Sequence, residues 1–198
     1  MKRVISLALL AVLLLTGCAA PSRPTNEELG WDEDWAQVSA LLGVEPMTGF
    51  DLNENIDAMG IYGLYYATWT AGEARDYTNA DGDKSQLYDA QIYVLLQQGK
   101  NEDEARTALE DWISRERETY EAGETRTETY AGQTFDLFPL LHAGEDNPYT
   151  QGAAAFATRN GWAISVELLC QDSFEGDAQT CLTEFLSGFH YNDEQEVQ

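Results

Sequence analysis

Apolar residues between Asn101 and Thr119 recur at Ala105, Ala108, Leu109, Trp112 and Ile113, the spacing of one face of an α-helix. Asn101 is a good cap for its start, and Glu104 three residues later completes a capping box. Glu102 and Asp103 sit where the helix dipole favours acids, Arg115 and Arg117 where it favours bases. The pattern predicts an amphipathic helix over 101–119. A second helix begins near Asp177, where Ala178, Cys181, Leu182, Phe185, Leu186 and Phe189 fall on one face, with Gly188 near the end and His190 closing it. Trp31 to Leu42 reads as a short leading helix ended by Gly43.

Elsewhere the period drops to two. Ala153–Arg159 and Trp162–Cys170 flank Asn160-Gly161, a pair that accepts the positive φ angles of a tight hairpin turn. Trp162, Ile164, Val166, Leu168 and Cys170 alternate onto a core face; Ala163, Ser165 and Glu167 fall on the other. Residues 60–70 and 86–96 read as two longer strands. Tyr88, Ala90, Ile92, Val94 and Leu96 form the apolar face of the second, and Asp89, Gln91 and Gln97 point away. The polar connection 72–85, with Asp81-Gly82, reads as a long hairpin loop. Thr125, Thr127, Thr129 and Tyr130, followed after Gly132 by Phe135, Leu137 and Phe138, suggest another hairpin. The order is helix, two strands, helix, several strands, helix: an α+β fold with helices packed on the faces of an antiparallel sheet.

The N-terminus follows a different rule. Lys2 and Arg3 precede an apolar run from Val4 to Leu15, then small residues and Cys18. Charged, greasy and small segments in that order make a secretory signal. The run is about a dozen residues, short of the roughly 18–20 that span a bilayer as a helix. Leu15-Thr16-Gly17-Cys18 resembles the lipobox of bacterial lipoprotein precursors. The resemblance implies that residues 1–17 are removed and that Cys18 becomes the acylated first residue, tied to the membrane by more than one chain; an ordinary cleaved signal is the alternative. Residues 18–30, with Pro21, Ser22, Pro24 and Asn26, then form a flexible tether, 31–191 one domain, and 192–198 an acidic tail.

Charge and cysteines narrow the setting. Thirty-five acidic residues against eleven basic ones give a net charge of −24, and the leader carries two of the basic residues and no acid. Such a field repels nucleic acid, whose binding depends on neutralised phosphates. Apart from Cys18 the chain has Cys170 and Cys181, an even pair that reads as one disulfide in an exported protein. Closing a loop of about 12 residues would stabilise by roughly 2.5–3 kcal/mol in the chain-entropy model. A redox-active pair has little support without a C-x-x-C motif.

Candidate chemistry is sparse. Asn79, Asp81 and Asp83 bracket Gly82 and approach a hard-cation loop, but the EF-hand register puts Tyr77 and Tyr88 where acids belong, so a solvated hairpin tip is the simpler reading. His142 and His190 are the chain's two histidines and lack the spacing of a zinc site or triad. No carboxylate pair stands out among the acids. Tyr62, Tyr65, Tyr66 and Trp69 crowd one strand, and one of its faces is a candidate stacking surface for a glycan. No catalytic residues, cofactor or phosphate loop are read here.

The element order, with a helix after a hairpin and a closing helix ending at Phe185, Phe189 and Tyr191, resembles the PsbP-type α/β/α sandwich, shared with surface lipoproteins of the LpqN kind. The resemblance implies a non-enzymatic binding or scaffolding protein. The expectation is a membrane-anchored cell-envelope lipoprotein binding an envelope protein or glycan. The alternatives are an envelope hydrolase using a carboxylate pair and a calcium-binding protein.

Overall fold

A computed structural model describes residues 42–44, 47–53, 64–79, 82–143 and 147–191. The predicted leader, Cys18, the tether, most of the leading helix and the acidic tail lie outside them. Twelve strands are described: β1 (Leu42–Val44), β2 (Asp51–Leu52), β3 (Leu64–Ala71), β4 (Arg75–Thr78), β5 (Lys84–Leu87), β6 (Ala90–Gln98), β7 (Tyr120–Ala122), β8 (Arg126–Tyr130), β9 (Gln133–Ala143), β10 (Gln151–Arg159), β11 (Trp162–Cys170) and β12 (Phe189–Tyr191). Two helices accompany them, α1 (Glu102–Thr119) between β6 and β7, and α2 (Ala178–Ser187) between β11 and β12.

The main sheet has eight strands in the order β2-β3-β6-β11-β10-β9-β7, with β8 also on β9, and every pairing is antiparallel. Asn160 and Gly161 take φ of 50° and 81° at the β10–β11 turn, as an Asn-Gly hairpin requires. Ala131 and Gly132 do the same between β8 and β9.

α1 begins as predicted: Asn101 Oδ1 accepts from the Glu104 amide at 3.0 Å. The Glu104 carboxylate reaches back to the Lys100 amide, 2.9 Å away, one residue earlier than a capping box places it. Glu102 accepts from the Gly161 amide at 2.9 Å, tying the helix start to the central hairpin turn. Asp177 caps α2 through the Thr180 amide at 2.8 Å.

The helices lie on opposite faces. Leu182, Phe185 and Leu186 of α2 pack on Ile92, Val94, Ile164, Val166 and Leu168. Ala105 and Trp112 of α1 pack on Phe138, Leu140, Ala154, Phe156 and Ala163. Each large apolar side chain so buried contributes about 1.5–3 kcal/mol. The α+β sandwich expected from the hydrophobic pattern is the observed architecture.

Four expectations need correction. The connection 72–85 and the first two residues of the predicted 86–96 strand carry the strand pair β4–β5, which is outside the main sheet, and the sheet strand itself starts at Ala90. Leu42 and Gly43, read as the end of a helix, belong to β1 and pair with Tyr191 and His190. α2 stops at Ser187, so His190 stands in β12 instead of closing the helix, while His142, next to last in β9, has φ of 44°. Gln91 and Ser165 do face away from the α2 side, but α1 and its neighbours cover that face, leaving them 2% and 0% exposed.

Candidate functional site

The end of the sheet where β6 begins carries a web of tyrosines and amides. Gln91 Oε1 accepts from the hydroxyls of Tyr93, at 2.8 Å, and Tyr149. Tyr149 leads into β10, and its amide bonds to Asn147 Oδ1 at 3.0 Å. Asn147 in turn donates to the Tyr120 hydroxyl at 3.0 Å, and that hydroxyl donates to the Tyr149 carbonyl at 3.3 Å. Burial pushes the Tyr149 hydroxyl well above the usual tyrosine range, and the Tyr120 hydroxyl up to about 12. Both therefore stay protonated donors at any physiological pH.

The β4–β5 hairpin stands over this web and completes a cleft of about 460 Å³. Tyr77, Ser85, Gln86 and Leu87 line it from the hairpin, Gln91 and Tyr93 from β6, and Pro148 and Tyr149 from the segment before β10. The volume is that of a small-ligand site, and rings with a few fixed polar groups are the usual lining. None of the eight side chains carries a formal charge, in a chain whose net charge is −24.

One strand further in, beneath α1, two carboxyls come together. Tyr93 pairs with Thr68 on one side and Glu167 on the other, so the three form one transverse row of the sheet. Glu167 accepts from the Ser165 hydroxyl. Glu116 reaches this row from α1, and its Oε2 is buried with no hydrogen-bond partner among the described residues, as is Thr68 Oγ1. Burial, and then the charge of Glu167, push the Glu116 carboxyl up to about 7 against the opposing pull of Arg115. Burial also raises Glu167, opposed by the Ser165 hydrogen bond and Arg115.

The residues singled out in the sequence are dispersed. Cys18, Tyr62 and Asp81 lie outside the described residues. Tyr65 and Tyr66 occupy β3 opposite Leu96 and Leu95. Trp69 packs edge-on against Phe185 with ring centres 5.1 Å apart and is partly buried against the α2-side core. Asn79 and Asp83 spend their side chains on their own turn: Asn79 Oδ1 accepts from the Asp83 amide at 2.8 Å and Asn79 Nδ2 donates to Asp83 at 3.3 Å. Among the described residues no three acidic, histidine or cysteine side chains are grouped to hold a metal ion.

Cys170 and Cys181 are free thiols here, near enough for each other's charge to matter. Burial pushes Cys170 up to about 12 and raises Cys181, the opposite of what a reactive thiolate needs.

Glu116, Glu167, Tyr77 and Tyr149 were not singled out from sequence. One signal was available for Glu116: the stripe Ala105, Leu109 and Trp112, carried on by one turn, lands on it.

Fold and cleft together define an antiparallel α+β sandwich with a ligand-sized recess at one end of its sheet. No protein-family model matches the chain, and no curated protein sequence does. Among solved structures it is similar to the cyanobacterial PsbP (CyanoP) of Synechocystis sp. PCC 6803, at 13% identity and a TM-score of 0.36, over 77% of this chain and 93% of that one. At that level of similarity the chain's own geometry is what bears on function.

Proposed function

We propose that this chain is a membrane-anchored lipoprotein of the cell envelope whose folded domain is a non-enzymatic binding module, taking an uncharged glycan in the tyrosine-lined cleft. The cleft carries the reading. Tyr77, Tyr93 and Tyr149 supply rings, while Gln86, Gln91 and Ser85 supply donors and acceptors. An uncharged lining in so acidic a chain suits a ligand that brings hydroxyls and amides in place of ions. The anchor is the acylated Cys18 of the lipobox-like Leu15–Cys18 segment, and a Cys170–Cys181 disulfide formed after export belongs to the same proposal. Nucleic acid is no partner for such a charge.

The hydrolase alternative asks for two carboxyls facing a substrate. Glu116 and Glu167 lie between helix and sheet, near enough for the charge of one to raise the other, and neither lines this cleft.

The test is a titration of the acylated protein with soluble, uncharged N-acetylglucosamine oligosaccharides, read by intrinsic fluorescence, beside Tyr77→Ala. Saturable binding that Tyr77→Ala weakens about tenfold or more supports the cleft, since losing one stacked ring costs about 1–2 kcal/mol. Absence of binding, or binding indifferent to Tyr77, overturns the glycan assignment; envelope pull-down of one stoichiometric protein would replace it. Mass spectrometry of the native N-terminus decides the anchor: an intact leader or a bare Cys18 thiol overturns it.

A further inference from the structure

We propose that Glu116 and Glu167 form a proton-holding carboxyl pair that makes the seating of α1 on the sheet respond to pH across neutrality. Two ionised carboxylates packed between a helix and a sheet repel each other and lose most of their hydration, a cost that protonating one of them removes. The surroundings leave that cost standing. On α1, Arg115 opposes it, but this guanidinium is exposed and its Nε is bonded to the Asp111 carbonyl at 3.3 Å. Arg117, the other cation of the last turn, lies 4.5 Å over the Phe138 ring and donates to Thr125 at 2.9 Å.

On β11, Ser165 gives Glu167 its hydroxyl hydrogen. From β6 comes Tyr93, whose hydroxyl is turned to Gln91, and from β7 comes Tyr120, whose hydroxyl bonds to Asn147 and the Tyr149 carbonyl. β10 presents Ala154 and Phe156 and no titratable group. Among the described residues no donor meets Glu116 Oε2, so a proton of its own is the way to neutralise it there.

Loss of that proton sets two like charges across the contact between α1 and β11. The helix end is the part that yields, because the strain falls in its last turn, where Glu116 also receives the Tyr120 amide on its carbonyl. Tyr120 holds Asn147 and through it the Tyr149 wall of the cleft, so the same proton reaches the cleft. The switch is a property of the α1 contact and stands whether or not the cleft binds a glycan.

The experiment is amide hydrogen exchange of the full chain from about pH 5 to about pH 9, corrected for intrinsic rates, with infrared detection of protonated carboxyl groups. Wild type is expected to lose about tenfold protection in residues 113–119 as the pair passes through its upper titration, and to show a carboxylic-acid carbonyl band near neutrality that Glu116→Gln diminishes. Glu116→Gln removes one charge without changing shape and is expected to flatten the protection profile; Glu118→Gln, on the exposed side of the same turn, is expected to leave it unchanged. Glu167→Gln is the reciprocal test, and if that deeper position prevents folding, Glu116→Gln alone decides. A profile in Glu116→Gln that follows wild type, or no acid band at neutral pH, overturns the proposal.

Discussion

Arg75 and Asp89, fourteen residues apart in the chain, close an ion pair at 2.8 Å that fastens the β4–β5 hairpin to the end of the main sheet. Arg75 also donates to Gln171 Oε1 at 3.0 Å, and Asp89 takes the Ser173 hydroxyl at 2.8 Å, so one junction gathers the hairpin, the start of β6 and the loop after β11. The pair is substantially exposed, which limits its thermodynamic weight to about 0.2–1 kcal/mol. Its value is positional. Arg75→Ala is expected to shift the urea midpoint slightly, while amide exchange in 75–87 accelerates and ligand binding in the cleft weakens. A hairpin as protected as in wild type would show that the strand pair holds itself in place.

The Glu116 carboxyl makes stability depend on pH in a stated direction. Its folded-state value, about 7, lies above the ordinary 4.5, so the folded protein binds the proton more tightly than the unfolded chain. Its contribution is complete below about 4.5 and is lost as pH rises through about 7. Urea midpoints measured across this window are expected to fall with rising pH, and Glu116→Gln to remove part of the slope. General self-repulsion of the acidic chain contributes a slope of the same sign, so the difference between wild type and variant is the quantity to read.

Gly152 sits where a Cβ would lie 2.0 Å from the Leu168 carbonyl oxygen, a backbone atom that cannot swing aside. Gly152→Ala forces β10 and β11 apart at the middle of the sheet, and is expected to destabilise by about 2–3 kcal/mol, at the upper end of overpacking costs. Thermal unfolding checks it; a change below about 0.5 kcal/mol would mean that the hairpin yields without cost.

Ala131 has φ of 50° in the β8–β9 turn, a left-handed conformation that costs an alanine about 1 kcal/mol. Ala131→Gly or Ala131→Asn is expected to raise stability by about 0.5–1 kcal/mol without touching the cleft. Equal or lower stability in both variants would remove the strain argument.

These turns show why some elements were legible in the residues and others were not. Asn160-Gly161 and the Asn101 cap announce themselves because local chemistry dictates local geometry, and the β10–β11 hairpin and α1 lie where those signals place them. The β4–β5 pair left no such mark: Arg75, Asp76, Thr78, Lys84 and Ser85 are exposed, so no apolar alternation distinguishes the strands from a loop. Phe189 misled in the other direction. It continues the helical series of α2 while belonging to β12, where its ring meets Phe135 edge-on with centres 5.9 Å apart. For the candidate site the obstacle is tertiary. Gln91, Ser165 and Glu167 look like solvent-facing residues of an alternating strand, and only the placement of α1 and the 147–150 segment turns their face inward. Glu116 and Glu167 meet across a helix–sheet contact that no spacing in the chain encodes.

β10 and β11 stand between β9 and β6, yet they are made after both. Until that hairpin is in place, β6 and β9 each present a raw ladder of amides and carbonyls to whatever is nearby. The sheet is thus completed by inserting a late hairpin into a waiting gap, a long-range closure that sets a slow rate and invites chaperone custody until it is done. A chain cut short before Gln151 would keep both of those seams open for good.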